Sequence, residues 1–390
     1  MTIRRLIAII FIFFCVTIAW AILGSSIYLR TEQSFDTLGE QVERLWGTEH
    51  VQRAPVVTLS TDQETSNVEL ESGQVNVDLH LEHRRKGLLW YATYKVAFDG
   101  LYTFQNPLDR TATATVTFEF PSPGTLYDDF EFCVNDVHTT PSGSDGHRLR
   151  TVIELPPGKE ADIHIAYKSR GLDQWQYSFG TDIINVKNFF LTVNTDFKEF
   201  DFPANTISAS KKTPTPQGWK LEWEFTNLVS DSDVGVKMPY KLNPGPLASR
   251  MSYFAPVSLL FFFTVLVVLG AVKGTNLHPM HYFFLGTAFF AFHLLFAYLV
   301  DHVPLELSFV IAAFVSMLLV ISYLWRAVGA RFALREAGIS QLLFLVLFSY
   351  AFFFEGYTGL VITIGAIVTL AVLMQITAKV DWGEVFGKKA

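Results

Sequence analysis

Six stretches of roughly 20 apolar residues constrain this chain more than any other feature of its sequence. A helix of about that length crosses a hydrocarbon core, and in lipid the backbone has few other ways to satisfy its polar groups. The stretches run roughly from Leu6 to Ile27, Ser252 to Val272, Tyr282 to Val300, Leu305 to Leu324, Ala337 to Phe354 and Tyr357 to Thr377, the fifth being the shortest. Between the first and second lie the 221 residues from Arg30 to Arg250, which read as ordinary water-soluble protein. The expected architecture is an α-helical polytopic membrane protein with six spans and a mostly β, sandwich-like extracytoplasmic domain inserted between spans one and two. Its parts would be an N-terminal membrane anchor (1-29), the extracytoplasmic domain (30-250), a five-helix membrane bundle (251-378) and a short cytoplasmic tail (379-390).

Charge follows the same division. The stretch from Arg30 to Arg250 holds 21 Lys and Arg against 31 Asp and Glu, a net of 21 − 31 = −10, and the remainder holds 9 against 6, a net of +3. An acidic insert is a poor partner for nucleic acid. The basic residues outside it set the orientation. Arg4 and Arg5 precede the first span, Lys273 follows the second, Arg326, Arg331 and Arg335 separate the fourth from the fifth, and Lys379, Lys388 and Lys389 follow the sixth. All nine fall on one side if both termini are cytoplasmic, and the opposite short connections contain Asp301, His302 and Glu355 but no Lys or Arg. A cleavable signal peptide is the rival reading of the first span, with Gly24-Ser25-Ser26 as its small residues. The apolar run is long for a signal core, which favours an anchor. Of the two cysteines, Cys15 has no lipobox before it and reads as a packing residue, and Cys133 has no partner in the insert for a disulfide.

Within the insert, Leu38, Val42, Leu45 and Trp46 recur at helical spacing and end at Gly47, which predicts a short amphipathic helix from Glu32 to Trp46. Its apolar face could rest on the membrane surface or under the domain. From Pro55 onward the period becomes two. Val75, Val77, Leu79 and Leu81 alternate with polar residues, and Ala112, Ala114, Val116, Phe118 and Phe120 alternate with threonines and Glu119. With turn signals at Pro121 to Gly124, Pro141 to Gly143 and Pro156 to Gly158, this pattern predicts antiparallel strands. Further strands are expected near Leu88 to Phe98, Arg148 to Leu155, Asp162 to Tyr167, Asn188 to Asn194 and Trp219 to Asn227.

The insert shows no HExxH, no GxSxG elbow, no phosphate-binding glycine loop and no clustered pair of cysteines. His80 and His83, beside Arg84-Arg85-Lys86, invite a metal reading, against which stands the plainer one of solvated turn histidines. Trp175 and Tyr177 would suit an aromatic platform for a sugar or peptide, but core packing is the ordinary use of such residues. No cofactor or metal is expected, and no enzymatic activity, because no nucleophile, ligand set or acid/base pair is assembled.

The membrane half carries a more specific pattern. Leu277-His278-Pro279-Met280-His281-Tyr282, then Gly286, then Asp301-His302 resembles the CreD-type inner-membrane proteins of cell-envelope integrity, with His281 in place of the family's usual Gln. Glu355 before Tyr357 and the exit Thr377-Ala378-Lys379-Val380-Asp381-Trp382 are similar to the family's close, although Gly356 stands where an Asp is usual and the basic residue is displaced by one. Trp46-Gly47 before Pro55, and Arg84-Arg85-Lys86-Gly87 before Tyr94, follow the family's order as well. The resemblance implies a bacterial inner (cytoplasmic) membrane protein whose large domain is periplasmic. It marks His278, Pro279, Tyr282, Gly286, Asp301, His302, Glu355, Tyr357, Asp381 and Trp382 as candidate residues.

Pro279 is expected to open the third span, since the first helical turn tolerates a missing N–H. Asp301, His302, Glu306 and Glu355 would gather on the outer side, either as a polar cluster gripping the insert or as interfacial residues that simply meet water. A proton path through His293 is the sharper alternative. However, His281 and His293 are twelve residues apart, roughly 18 Å along a helix, with no ionisable residue between them. Gly286, Gly359 and Gly365 read as close helix contacts. Three functions are therefore weighed: a non-enzymatic protein supporting envelope integrity or the response to cell-wall stress, which is favoured; a ligand-binding sensor or transport component using the bundle, with the loop from Arg326 to Ala337 as its partner surface; and an enzyme. Expected partners are membrane lipids and envelope proteins or a cell-wall component, not nucleic acid.

Overall fold

The computed structural model describes residues 3–61, 64–86, 89–135, 137–138, 147–180, 184–275, 277–354, 356–378 and 380. The chain divides into a helical unit, Met1–Phe35 with Leu242–Ala390, and a sheet-rich unit, Asp36–Lys241.

The helical unit contains, among the described residues, six helices long and apolar enough to cross a membrane. They belong to α1 (Ile3–Trp46), α2 (Pro244–Val272), α3 (Pro279–Leu299), α4 (Leu305–Ala327), α5 (Phe332–Phe353) and α6 (Thr358–Thr377). Two expectations change here. The anchor and the short helix after it are one uninterrupted helix, because the residues joining them include no proline or glycine to break the hydrogen-bond ladder. The proposed loop from Arg326 to Ala337 is largely helical, as α4 ends at Ala327 and a π-helical segment starts at Phe332. Leu, Arg, Glu and Ala in this stretch favour helix.

The unit's core is aromatic, with Trp20, Phe262, Phe289 and Phe292 all fully buried. On α1 the inward stripe runs through Val16, Trp20, Leu23 and Ile27. Cys15 lies off that stripe and is exposed, so it is not a packing residue. The small residues Gly24 and Ser25 meet α2, where Ser249 Oγ donates to the Gly24 carbonyl at 3.1 Å and Ser25 Oγ lies 2.8 Å from the Tyr253 hydroxyl. A β-carbon at Gly245 would collide with Thr31, so glycine lets the two backbones approach. Gly365 likewise accommodates the Phe348 ring, whereas Gly359 faces open space and makes no close contact.

In the sheet-rich unit, the longest sheet has eight strands in the order Lys211–Pro214, Trp219–Ser230, Ile184–Thr195, Ser72–Lys86, Leu89–Gln105, Glu160–Leu172, Asp128–Val134 and Val137–His138. One four-stranded sheet runs Thr65–Val68, Val56–Ser60, Ala112–Glu119 and Arg148–Leu155; the other runs His50–Arg53, Gln174–Ser178, Asp233–Lys237 and Thr206–Ile207. Alternation reads through directly: Ala112, Ala114, Val116 and Phe118 are buried while the threonines between them point away. Pairing is not uniformly antiparallel, however. Ile184–Thr195 lies parallel to Ser72–Lys86, and His50–Arg53 parallel to Gln174–Ser178. A period of two specifies which face a residue takes and says nothing of strand direction.

Side chains from all three sheets share one core, which includes Val57, Val77, Phe104, Val116, Trp175 and Trp223. Trp175 and Tyr177 belong to it and are buried, as the packing reading expected. The apolar face left open between membrane and domain packs on the sheet, since Leu38, Val42 and Trp46 meet Leu89, Tyr91 and Leu172. Trp46 also lies under the Arg84 and Arg170 guanidiniums, 3.6 and 4.7 Å from the ring centre. Gly47 ends the helix at φ +84°, donating its N–H to the Glu43 carbonyl.

His50 is the anomalous member of this interior. It is fully buried between Tyr94 and Tyr127, and neither ring nitrogen makes a well-formed hydrogen bond among the described residues. Desolvation holds its pKa down from 6.5 to about 4, with the Arg170 carbonyl opposing the shift. A depressed pKa means the unfolded chain takes up the proton first. Stability is therefore intact above pH 6.5 and falls as the pH drops toward 4, by roughly 3 kcal/mol over that window. In urea unfolding of the detergent-solubilised chain, His50→Leu should flatten the loss between pH 6.5 and 4.5. An unchanged acid limb in the variant would show that another group governs it.

Candidate functional site

Ion pairs and buried polar groups mark two regions of the helical unit, one at each end of α3. At its start, His278 caps the helix with Nδ1 accepting the Met280 N–H at 3.3 Å, and Pro279 takes the first helical position as expected. His281 Nδ1 lies 2.7 Å from the Tyr323 hydroxyl of α4. Tyr282 is buried, edge-on to Phe263 at 5.2 Å. A β-carbon at Gly286 would come within 3.3 Å of Val16 and 3.4 Å of Phe263, which makes this glycine a close-approach position for α1 and α2. These marked residues thus cap and pack one end of the bundle.

Beside them lies a pair that the sequence reading passed over. Lys273, after α2, forms an ion pair with Glu336 of α5, whose side chain is only 6% exposed. Glu336 sits in the first of two π-helical segments of α5, Phe332–Gly338 and Leu342–Leu347. Its other carboxylate oxygen has no partner among the described residues. One turn on, the Ser340 hydroxyl donates to the Glu336 carbonyl at 2.6 Å. Gln341 Nε2 then donates to Ser316 Oγ at 2.9 Å, and Ser316 donates to the Ala288 carbonyl at 2.7 Å. This relay ties α5 to α4 and α4 to α3, while Gln341 Oε1 stays unpartnered. A lone Glu at the edge of an apolar run was the available signal.

At the far end of α3, Asp301 is held by Arg30 of α1. The guanidinium lies 3.1 Å from Asp301 Oδ2, donates to the Ala297 carbonyl at 3.2 Å and stacks on Tyr298 at 5.6 Å. Asp301 is thus paired with a residue assigned from sequence to the insert rather than grouped with other acids. His302 and Glu306 are exposed and show no side-chain bond among the described residues. Tyr357 is exposed and precedes α6. Glu355, Asp381 and Trp382 lie outside the described residues.

Between the two ends, His293 is enclosed by the rings of Trp20 at 5.6 Å and Phe292 at 4.9 Å, and its Nδ1 bonds the Phe289 carbonyl at 3.2 Å. Its surroundings are aromatic, and it is buried. In the sheet-rich unit, His80 and His83 stand within a strand rather than in a turn. The first pairs with Asp196 and the second bonds the Pro239 carbonyl at 2.8 Å. No group of three or more metal-ligating side chains occurs among the described residues.

Residues 187–383 match the family described as inner membrane protein CreD. No curated protein sequence matches the chain. Among solved structures, a Legionella pneumophila protein provisionally described as nutrient-binding is 12% identical, with 68% of this chain and 98% of that one covered at a TM-score of 0.39. An M1 zinc metallopeptidase from Deinococcus radiodurans is 8% identical, with 44% and 42% covered at a TM-score of 0.30. Likeness this loose carries no argument about either chemistry.

The Arg30–Asp301 pair is partly solvated, which limits its worth to about 1 kcal/mol, whereas stranding either partner costs more than losing both. Asp301→Asn and Arg30→Gln should each lower the melting temperature in detergent, and the double variant should fall less than the sum. Strict additivity in that cycle would show that the two side chains do not interact.

Proposed function

Because the chain belongs to the CreD family of inner-membrane proteins, we propose that it supports cell-envelope integrity or the response to cell-wall stress without catalysing a reaction. In this reading both termini are cytoplasmic, the sheet-rich unit is periplasmic, and the helical unit is a static anchor. The observation that carries the anchor reading is how charge is held in the helices. Arg30–Asp301 and Lys273–Glu336 are paired at opposite ends of α3, which at 21 residues spans about 30 Å. The histidine between them is packed in aromatic rings, an arrangement that favours fixing helices over passing protons.

A second reading, a transport component, draws on a specific feature as well. Unpartnered oxygens of Glu336 and Gln341 lie on a span with two π-helical segments, and such segments are frequent at functional sites.

Two experiments test these statements. With Cys15 and Cys133 replaced by alanine, single cysteines at Gly274 and Gly329 should resist a membrane-impermeant thiol reagent in intact cells, and one at Asp109 should react. Reaction at Gly329 from outside would overturn the orientation. In a deletion strain, Asp301→Asn should restore growth on a cell-wall antibiotic only in proportion to its remaining thermal stability. Glu336→Gln at full stability but without complementation would reject the anchor and promote transport.

A further inference from the structure

The sheet-rich unit contains a cavity of about 360 Å³ that the functional reading does not use. It is at the small end of ligand pockets, which run from about 300 to 1,000 Å³. Aromatic residues line it: Tyr102, Tyr177 and Phe189 from three different strands, with Phe179 beside them. The Phe179 and Phe189 rings meet edge-on at 4.9 Å, and Tyr177 lies 5.0 Å from Phe189. Gly73 makes room for this arrangement, because a β-carbon there would sit 3.1 Å from Phe189 and 3.3 Å from Tyr102. The rings are held in the core at their outer edge, which leaves a preformed apolar wall.

Polar groups at the cavity are incompletely used. The Tyr177 hydroxyl donates to the Tyr102 hydroxyl at 3.1 Å, a pair that employs only one of its two O–H donors. Asn185 Oδ1 is buried with no partner among the described residues. At the rim, Lys187 Nζ is shared by Glu69 at 3.4 Å and Glu71 at 3.3 Å. Glu69 and Lys187 line the cavity and Glu71 stands just outside it, so these three described groups together carry a net charge of −1. An unfilled acceptor and an excess carboxylate both call for a donor or a positive charge, and the walls call for an apolar body with a π-face, toward which a cation is also attracted.

We propose that this cavity is a binding site for a small organic amine with an aromatic or compact apolar body. The body lies against Tyr102, Tyr177 and Phe189, and the ammonium sits at the rim near Glu69 and within reach of the Asn185 acceptor. Anions of the same shape are rejected by the rim charge. The site is independent of the anchor role proposed for the helices, since none of its residues belongs to the helical unit.

The test uses the full chain in nanodiscs of zwitterionic lipid, which avoids detergent competing for an apolar cavity. Binding of 4-fluorophenethylamine is followed by ¹⁹F NMR line broadening, with 4-fluorophenylpropionate as the anionic counterpart. The amine should bind saturably and the carboxylate at least about tenfold more weakly, as like charge at the rim demands. Val68→Trp, which fills the cavity from its half-buried wall, should abolish amine binding. Glu69→Gln alters only an exposed rim residue, so it keeps the test meaningful even where the tryptophan disturbs the fold; it should weaken the amine roughly two- to fivefold. Absence of saturable amine binding to the parent protein would overturn the proposal. So would equal affinity for the carboxylate, or unchanged affinity in both variants.

Discussion

A charged side chain near hydrocarbon must reach water or find a counter-charge, and the helical unit is organised by that requirement. Two ion pairs among its described residues join helices that the chain alone would leave free to slide. Arg30 bridges α1 to the end of α3, and Lys273 bridges the end of α2 to α5. The hydrophobic effect cannot do this, because lipid tails are as apolar as leucine, so close packing and polar contacts must. Position is set by the few polar contacts and by the places where backbones come close, such as Gly245 against Thr31 and Gly286 against Val16. α6 is the exception that supports the rule. Its described residues contain no charge, only Thr369 is buried, and most of its apolar surface faces outward.

The sheet-rich unit solves a different problem, since water drives its collapse. Most polar side chains in its interior are matched, His50 and Asn185 being exceptions. Tyr167 donates to Gln52 at 2.7 Å, and Gln52 in turn donates to the Arg53 carbonyl at 2.7 Å. Asn106 bonds the carbonyls of Arg110, Leu155 and Pro156, so that one buried amide fixes the bend between two strands. Such matched groups make the core specific to one register.

How much of this was legible from sequence differs with the kind of signal. Spans and strands were readable because burial repeats with the period of the element: Val75, Val77 and Leu79 face inward as their alternation says. Pro279 and Gly47 were readable because each has a backbone preference that suits one position. Partnership was not. Arg30 lies 271 positions before Asp301 in the chain, and nothing local distinguishes it from the basic residues that commonly follow a span. The pairing of Lys273 with Glu336 is hidden for the same reason, and so is the parallel pairing of Ile184–Thr195 with Ser72–Lys86. The candidate set drawn from family resemblance mixed three kinds of residue. Pro279 and Gly286 shape backbone, Asp301 pairs charge, and His302 and Tyr357 are exposed.

Buried polar atoms without partners separate structural from functional expectation more sharply than any list of ionisable residues. Folded interiors leave few such atoms, because each forfeits its solvation. His50 meets that cost by remaining neutral, packed between its neighbours Tyr94 and Tyr127. Asn185 differs because its unpartnered oxygen belongs to a residue lining an accessible space, where a ligand can supply the missing donor. Glu336 and Gln341 differ again, being five residues apart on a span with two π-helical segments, Glu336 within the first and Gln341 in the short α-helical turn before the second. They meet different partners, Lys273 for Glu336 and Ser316 for Gln341. Holding the fold requires neither unpartnered group, which is why the transport reading rests on Glu336 and Gln341 and the proposed ligand site on Asn185.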